Sequence, residues 1–546
     1  MGHFDPGRRR FVARMAGIAA GLSGCTMPDI HLCESSISDL SLPLGIDVHT
    51  HVFNGSDLQI HDFFSKIVAE DPDSELGGLA AVLGSIVQEL QWNGAPTASD
   101  ELARLAPLKS IYASCDAAAQ PLLEKLRRDA YANGRAQILA ARDRARMKSA
   151  IAPAVGDAVE PALPASYELW IERRNAVQKS RAAGVPAAVA LAGRASLTGA
   201  LDFILHGFYY RHTNILDYLQ AYSTGSHRKI DLMVPHLVDF DWWLANGGAT
   251  PSRLAMQVAV MERLSILTRG RVHGFVAFCP FREAMTSSND APGDSMKLAI
   301  DAMGRGFIGV KLYPTMGFAP YGNANSTVWR DHPDGLPAQA LDPGFGAALD
   351  RALARLYKWC LANGVPIMAH TNHSNGPNSA FEDLAGPDGW ADALRAFPGL
   401  RVNFGHFGDT DFVADDGAKA RAFVELMAMR GGENAYADSA YFADALSDPA
   451  ALGASIARLF DDPRTAVAAR RLMYGTDWEM VLQEPGVDSY LEGFIGLIRP
   501  ADADAFFGRN AATFLGLAPG GANRARLEAF YARTGVGRPD WMEKIG

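Results

Sequence analysis

Six residues of the types that bind divalent metal ions or transfer protons stand at the ends of short apolar runs. Two of them form a His-x-His pair, His49 and His51, directly after Ile46-Asp-Val48. Because they are two residues apart on a strand, both side chains point to one face. Imidazole and carboxylate groups suit zinc and similar divalent ions. The other four residues, each near the end of a later apolar run, are Lys311, His370, His406 and Asp477.

One histidine at the end of a strand is more often structural or solvated than a metal ligand. For His236 and His273, each taken alone, the sequence therefore predicts no functional role. Four strand ends together with an opening His-x-His pair are harder to explain by core packing.

The elements that must position these residues follow from the pattern after about residue 210, where short apolar runs alternate with helical segments. This alternation predicts a parallel sheet in an α/β fold. An opening strand within 42–53 and seven later ones make eight, the count of a (β/α)8 TIM barrel, whose active sites lie at the C-terminal ends of the strands. The seven later strands are expected at 230–235, 272–278, 307–313, 366–370, 401–406, 434–438 and 472–477, with helices that include 290–304, 344–363 and 418–429.

The stretch from 56 to 205 differs from the rest of the chain in composition and hydrophobic pattern. It is rich in alanine and shows helical periodicity, for example at 121–130 and 166–183, which predicts a large helical insertion after the first strand. The barrel then comprises 42–55 and 206–517, and 518–546 is a C-terminal tail. Two loops rich in Gly, Pro and Asn, 314–343 and 371–390, are expected to be lids or binding loops. With the insertion they would roof the site, although the insertion would serve equally well as an oligomer interface.

Residues 1–25 have the layout of an export signal. Arg8-Arg9-Arg10 precedes a short apolar stretch that ends in Leu22-Ser-Gly-Cys25, which resembles a twin-arginine signal followed by a bacterial lipobox. This pattern predicts export to the cell envelope, either to the periplasm or as a lipoprotein anchored by a lipid on Cys25. The alternative is a basic N-terminus with a chance cysteine.

The composition excludes several classes of protein. The chain has 546 residues, of which 48% are hydrophobic and 21% charged, as in ordinary globular proteins. A formal net charge of −10 argues against nucleic acid binding. The five cysteines form no Cys-x-x-Cys motif, and no run of about 20 apolar residues occurs, so neither a thiolate zinc site nor a membrane-spanning helix is predicted. The expected partner is a small-molecule substrate, and an oligomer is compatible with the sequence.

Four segments resemble motifs of the amidohydrolase superfamily, closest to its amidohydrolase-related (amidohydrolase 2) group, which includes metal-dependent decarboxylases and lactonases. The resemblance covers about 44–55 and 225–517, without the insertion, and it implies a bound divalent metal, most readily zinc, with manganese, iron or cobalt as alternatives. The segments are Asp47-Val-His-Thr-His-Val-Phe53, Phe404-Gly-His-Phe-Gly408, Gly475-Thr-Asp-Trp478 and Phe507 to Leu515.

The resemblance implies two alternative ligand sets. With one metal ion, the ligands would be His49, His51, His370 and Asp477, and His406 would act near the metal as acid, base or substrate polariser. With two ions, a carboxylated Lys311 would bridge them, because Gly309-Val-Lys-Leu-Tyr-Pro314 is similar to the fourth strand of dihydroorotase-like members. Lys311 would then join His49, His51 and Asp477 on one ion, and His370 and His406 on the other.

The ligand set is compatible with hydrolysis and with decarboxylation, and the expected export to the envelope favours a metal-dependent hydrolase that cleaves an amide, lactone or ester bond through activated water. Asp477 would take the proton of that water and pass it to the leaving group, and His406 would stabilise the developing oxyanion. The alternatives are a non-oxidative decarboxylase, which a cationic cluster facing the metal would favour, and a non-enzymatic binding lipoprotein.

Candidate substrate-binding residues flank the motifs in loops that face the expected mouth of the barrel. Arg282 follows the third strand and is of the type that binds a carboxylate through two hydrogen bonds. Each of these residues, taken alone, is more often a loop or packing residue. The candidates are Tyr313, His373, Arg282 and Trp478, together with Asn372.

Overall fold

The computed structural model describes residues 37–59, 91–112 except 93, parts of 128–169, 203–223, and 227–545 except 289–290, 373–375, 409–411, 414–416 and 485. The export signal predicted at 1–25 and the candidate residue His373 lie outside these residues. Almost all of the two helices predicted at 121–130 and 166–183 lies outside them as well, so the helical insertion stays a prediction.

All eight predicted strands are present, and every neighbouring pair is parallel. The strands are short and completely buried, which is typical of parallel strands covered on both faces. They are β1 (Ile46–Thr50), β2 (Leu232–Pro235), β3 (Phe275–Ala277), β4 (Gly309–Leu312), β5 (Ile367–His370), β6 (Val402–Gly405), β7 (Ala435–Asp438) and β8 (Leu472–Met473).

The strands close into a ring in the order of the sequence. β1 pairs with β2, and β3 to β8 form one continuous sheet. An isolated parallel bridge between Met233 and Val272 joins β2 to the segment that enters β3, and another between Thr50 and Trp478 joins β1 to the segment after β8. The chain is therefore a (β/α)8 TIM barrel, as the strand count predicted.

The three barrel helices predicted from periodicity are confirmed, with ends that differ by a few residues from the expected ones. The longest, Phe345–Asn363, ends because Gly364 adopts a left-handed conformation with φ of 59°. In the described residues the helices are α1 (Ala98–Leu105), α2 (Arg211–Tyr222), α3 (Asp241–Ala245), α4 (Leu254–Leu267), α5 (Pro280–Thr286), α6 (Asp294–Gly304), α7 (Val328–Asp331), α8 (Phe345–Asn363), α9 (Pro387–Ala396), α10 (Ala418–Ala428), α11 (Asp444–Ser447), α12 (Pro449–Asp461), α13 (Tyr490–Leu497), α14 (Pro500–Asp504), α15 (Asn510–Phe514) and α16 (Ala522–Thr534).

The barrel interior is filled from its N-terminal end. Ile46 and Val48 of β1 belong to one apolar cluster with side chains of the other strands and with Phe530 and Trp541. Residues 518–546, predicted as a tail, thus include α16 and pack against the bottom of the barrel. Among the described residues, no helix has the length and apolarity to cross a bilayer.

The described part of the insertion is tied to the upper end of the barrel by buried charges. The guanidinium of Arg211, at the start of α2, forms ion pairs with Asp57, which follows β1, and with Glu101 of α1. Buried charges need such partners, since an unpaired one would cost several kilocalories per mole. The contacts hold α1 and α2 next to the loop that follows the His-x-His pair.

Candidate metal centre

The predicted metal-binding residues converge at the carboxyl ends of the strands. His49 lies in β1, His51 follows that strand directly, and Asp477 lies in the turn after β8. His49 Nε2 is 3.6 Å from Asp477 Oδ1, and His51 Nε2 is 3.4 Å from the same oxygen. The backbone N–H of Asp477 donates to the carbonyl of His49 at 2.8 Å, which joins the two segments. All three side chains are buried.

Hydrogen bonds decide which ring nitrogens face this centre. His49 Nδ1 lies 3.0 Å from Asp438 Oδ2, and His51 Nδ1 lies 3.0 Å from the carbonyl oxygen of His236. A carbonyl or carboxylate oxygen accepts, so Nδ1 carries the proton in each neutral ring and Nε2 presents a lone pair. The lone pairs of two imidazoles therefore face a carboxylate oxygen, an arrangement that a cation between them would stabilise.

Asp438, the last residue of β7, positions two of the histidines and was not singled out from the sequence. Besides the His49 ring, its carboxylate accepts from Asn403 Nδ2 at 2.6 Å and from the backbone N–H groups of His406 and Ala440 at 2.9 and 3.0 Å. Burial raises the pKa of this carboxyl to about 6, and these hydrogen bonds oppose the rise. Its only signal in the sequence is its position at the end of the seventh apolar run.

His406 and His370 continue the cluster on the side of β5 and β6. The ligand atoms of His49, His406 and Asp477 lie within 4.8 Å of one another. His406 Nδ1 is 3.0 Å from the Ala440 carbonyl, so its Nε2 is also an acceptor in the neutral ring. The His370 ring is centred 4.8 Å from that of His406, and its buried Nε2 has no hydrogen-bond partner in the described part of the chain.

Lys311 of β4 reaches the same centre. Its Nζ donates to His49 Nε2 at 3.1 Å, and the side chain is buried. Burial lowers the pKa of Lys311 to about 8, although the carboxylates of Asp477 and Asp438 oppose the fall. Part of the amine is then uncharged near neutral pH, which is the form that carboxylation needs. The bridging role of a carboxylated Lys311 stays a prediction.

The electrostatics of the cluster suit metal ligands. Burial lowers the pKa of His49, His51 and His370 well below the ordinary value, and nearby positive charges lower it further. Burial raises the pKa of Asp477 to about 8, while the ammonium of Lys311 opposes the rise, so this carboxyl would lose its proton at neutral pH when a cation binds beside it. Imidazoles kept neutral in this way are in the form that binds a metal.

A divalent ion fits the donor atoms that are present. With bonds of about 2.0–2.1 Å, two ligands of a tetrahedral zinc ion lie about 3.4 Å apart. The separations of 3.6 and 3.4 Å between the two Nε2 atoms and Asp477 Oδ1 are close to that value. Asp477 Oδ1 has no hydrogen-bond partner among the described residues, although it is buried.

The structure adds His236, the residue directly after β2, to the cluster. The ligand atoms of His49, His51 and His236 lie within 4.8 Å of one another, and all three residues are buried. Its signal in the sequence was the same as that of His370, a histidine that closes an apolar run. Taken alone, that signal predicts no functional role, and only the neighbours that the barrel brings together distinguish His236.

The candidate substrate-binding residues have different surroundings. Tyr313 stacks on the His370 ring at 4.2 Å and so borders the cluster. Trp478 is buried and packs edge-on against Tyr218 and Tyr222 at 5.6 Å, on the side of α2. His373 is outside the described residues, and a substrate contact of any of these residues, or of the neighbouring Asn372, stays a prediction.

Arg282 is already held by carboxylates of its own chain. Its guanidinium donates twice to Asp239, at 2.6 and 2.7 Å, and once to Asp241, at 2.9 Å. A substrate carboxylate would have to compete with both of them. Arg282, predicted from the sequence to bind a substrate carboxylate, is therefore already paired with carboxylates of the protein.

A small cavity opens beside the cluster. Lys311 and Tyr313 line it on the side of the metal-binding residues, and Asp239 contributes a carboxylate. The rest of its wall is mainly apolar and comprises Val238, Trp243, Ala277, Phe278, Cys279, Met316 and Phe318.

A family model described as amidohydrolase matches residues 280–517, which is less than half of the chain. The match includes β4 to β8 but not the strands that carry His49, His51 and His236. A search of curated proteins finds no similar sequence.

Several solved structures resemble the chain at low similarity. An uncharacterised TIM-barrel protein from Bordetella bronchiseptica is 17% identical, with 55% of this chain and 81% of that one covered and a TM-score of 0.35. A putative 2-pyrone-4,6-dicarboxylic acid hydrolase from Pseudomonas putida is 16% identical, with 55% and 86% covered and a TM-score of 0.33. A mutant 5-carboxyvanillate decarboxylase from Novosphingobium aromaticivorans, with bound manganese, is 14% identical, with 63% and 93% covered and a TM-score of 0.33. At such scores, we draw no conclusion about the reaction from them.

Proposed function

We propose that this chain is a metal-dependent hydrolase of the amidohydrolase superfamily that cleaves an amide, lactone or ester bond of a small organic substrate. One observation carries the proposal. Buried histidines and an aspartate meet at the C-terminal end of a barrel, with lone pairs directed at one centre and no described donor to satisfy Asp477 Oδ1. His49, His51 and Asp477 would hold the ion. When bound there, a divalent ion lowers the pKa of water and polarises a carbonyl group.

The chain's own residues supply the proton transfers. Asp477 Oδ1 faces the centre and is placed to hold the proton of the attacking water before the leaving group receives it. In a neutral His406, Nδ1 is committed to the Ala440 carbonyl, so Nε2 offers a lone pair rather than a donor. This tautomer favours His406 as a ligand or base. The oxyanion role that the sequence suggested requires His406 in its protonated form.

The pairing of Arg282 supports hydrolysis over decarboxylation. A carboxylated substrate would need a cation near the metal, and Arg282 was the candidate. In the structure Asp239 and Asp241 neutralise Arg282. Of the described residues that were named for the site, Lys311 is the remaining cation. The cavity wall, mainly apolar, fits an uncharged substrate better than a dianionic one.

The test is to measure metal ions per chain by elemental mass spectrometry for the parent, His49→Ala and Lys311→Ala, with His273→Gln as a control at the other end of the barrel. We expect bound metal in the parent and the control, and a fall to near zero in His49→Ala, the largest effect predicted for any variant. If the parent binds two ions and Lys311→Ala binds one or none, the result would indicate a pair of ions bridged by Lys311.

The loaded parent would then be assayed on lactones, amides and esters, and on aromatic carboxylates for release of carbon dioxide. Hydrolysis that disappears in His49→Ala supports the proposal. A well-folded parent that binds no zinc, manganese, iron or cobalt would refute it, and metal-dependent release of carbon dioxide without hydrolysis would replace it by the lyase.

A further inference from the structure

His236 is a buried histidine whose ring makes no hydrogen bond of normal geometry with any described residue. It follows β2 directly, and its exposed fraction is 0%. Neither Nδ1 nor Nε2 makes a hydrogen bond of normal geometry within the described part of the chain, and a contact with the Val48 backbone falls short of that geometry. Buried polar nitrogens without well-formed hydrogen bonds cost free energy, so such groups call for an explanation.

The position of the ring is set by its own backbone and by its neighbours. The N–H of His236 donates to the carbonyl of Thr50 at 2.8 Å, and its carbonyl accepts from His51 Nδ1 at 3.0 Å. The ring lies against Phe275 at 5.0 Å and against His49 at 4.7 Å. These contacts hold the ring beside the His-x-His pair.

The His236 ring belongs to a group of three neighbouring imidazoles. The ligand atoms of His49, His51 and His236 lie within 4.8 Å of one another. Because Nδ1 of His49 is bonded to Asp438 and Nδ1 of His51 to the His236 carbonyl, each of these two rings offers Nε2 alone. An ion bound to the His49 lone pair would therefore be shared by two groups of ligand atoms, with His51 and His236 in one and His406 and Asp477 in the other.

We propose that His236 is an additional ligand of the ion that the proposed function requires, so that the site comprises His49, His51, His236 and Asp477. The inference rests on that function for the presence of an ion, but it is carried by the unpaired ring. A third imidazole raises the share of nitrogen donors. Nitrogen-rich sites suit zinc, cobalt and iron(II), whereas manganese and magnesium prefer oxygen. We therefore expect the site to select zinc or cobalt over manganese.

The experiment compares the full-length parent with His236→Phe, His236→Gln and the control His273→Gln. His236→Phe keeps a ring against Phe275 but has no ligand atom, and His236→Gln keeps polarity if the first variant folds poorly. Zinc and manganese affinities are measured by competition with a chelator, and the visible spectrum of the cobalt(II) form reports the donor set. Circular dichroism and thermal unfolding monitor the fold.

Loss of a hydrogen-bond partner of a metal ligand typically lowers metal affinity by about 10–100-fold. Loss of a direct ligand should lower zinc affinity by more than that. We expect such a loss in a folded His236 variant, a smaller loss for manganese, and an altered cobalt spectrum, with the control unchanged. Unchanged zinc affinity and cobalt spectrum in either folded variant would overturn the assignment, whatever happens to activity. A parent that binds no metal would instead refute the proposed function.

Discussion

His236 and His273 are two buried histidines at opposite ends of neighbouring barrel strands, and their surroundings differ completely. His273 precedes β3 at the N-terminal end, where Nδ1 lies 2.7 Å from the Gly306 carbonyl and Nε2 lies 2.7 Å from the Tyr531 hydroxyl. The ring of His236, at the C-terminal end, has neither bond. The same residue type has both ring nitrogens hydrogen-bonded at one end of the barrel and neither in a well-formed hydrogen bond with a described residue at the other.

Two buried carboxylates repeat the contrast. Asp231, at the N-terminal end, accepts from the Lys544 ammonium at 2.9 Å and from the backbone N–H of Gly45 at 3.0 Å. Asp477, at the C-terminal end, has one oxygen without a donor in the described residues. The lesson is that burial alone does not indicate function, whereas burial with unsatisfied ligand atoms does.

The largest expected effect is a pH dependence of the free energy of unfolding that arises from the titration of His273. Burial lowers the pKa of His273 to about 4, while in the unfolded chain the side chain keeps the ordinary histidine pKa of 6.5. Between these pH values the unfolded state binds more protons than the folded state. The free energy of unfolding is therefore undiminished above pH 6.5 and falls as the pH drops towards 4. The loss amounts to about 3 kcal/mol, at about 1.4 kcal/mol per pKa unit.

Urea unfolding of the parent and of His273→Gln between about pH 7 and 4 measures this term. The variant lacks it, so its free energy of unfolding should approach or exceed that of the parent as the pH falls. A difference between the two proteins that stays constant over this range would show that His273 titrates alike in both states.

A smaller effect is expected from Asp438→Asn, which places an amide group opposite donors that now meet a carboxylate. The His49 ring and the His406 backbone lose part of their support, and zinc affinity should fall by about 10–100-fold. The matched control is Asp231→Asn, a buried carboxylate at the other end, which should lower stability without changing zinc affinity. Equal zinc affinities for the parent and Asp438→Asn would show that Asp438 does not support metal binding.

The smallest effect is expected from Arg282→Lys, which tests whether pairing rather than location decides the role of a polar group. Arg282 lies at the catalytic end but is paired with Asp239 and Asp241. A lysine cannot reproduce the bidentate geometry, so we expect a loss of stability of about 1 kcal/mol, with unchanged zinc affinity. Urea unfolding and a zinc titration give both numbers, and a clear drop in zinc affinity would place Arg282 among the groups that act on the metal.

Much of the fold was predictable because its signals are local. The eight strands and the long helix Phe345–Asn363 follow from apolar runs and helical periodicity along contiguous segments. The candidate ligands were predictable for the same reason, since they stand at the ends of those runs. Residues of the insertion had helical periodicity too, but their arrangement depends on contacts such as those of Arg211 with Asp57 and Glu101, which lie more than 100 positions away.

The sequence by itself therefore determined the barrel and the set of metal-binding residue types at its strand ends. Only the tertiary structure decided that His236 lies next to these residues, that His273 lies at the opposite end of the barrel, that Asp438 orients His49, and that Arg282 is neutralised. The physical reason is that a polar group's role depends on its partners, and these come from distant segments. The partner of His273 is 258 positions away and that of His49 is 389 positions away, distances over which no local pattern carries information.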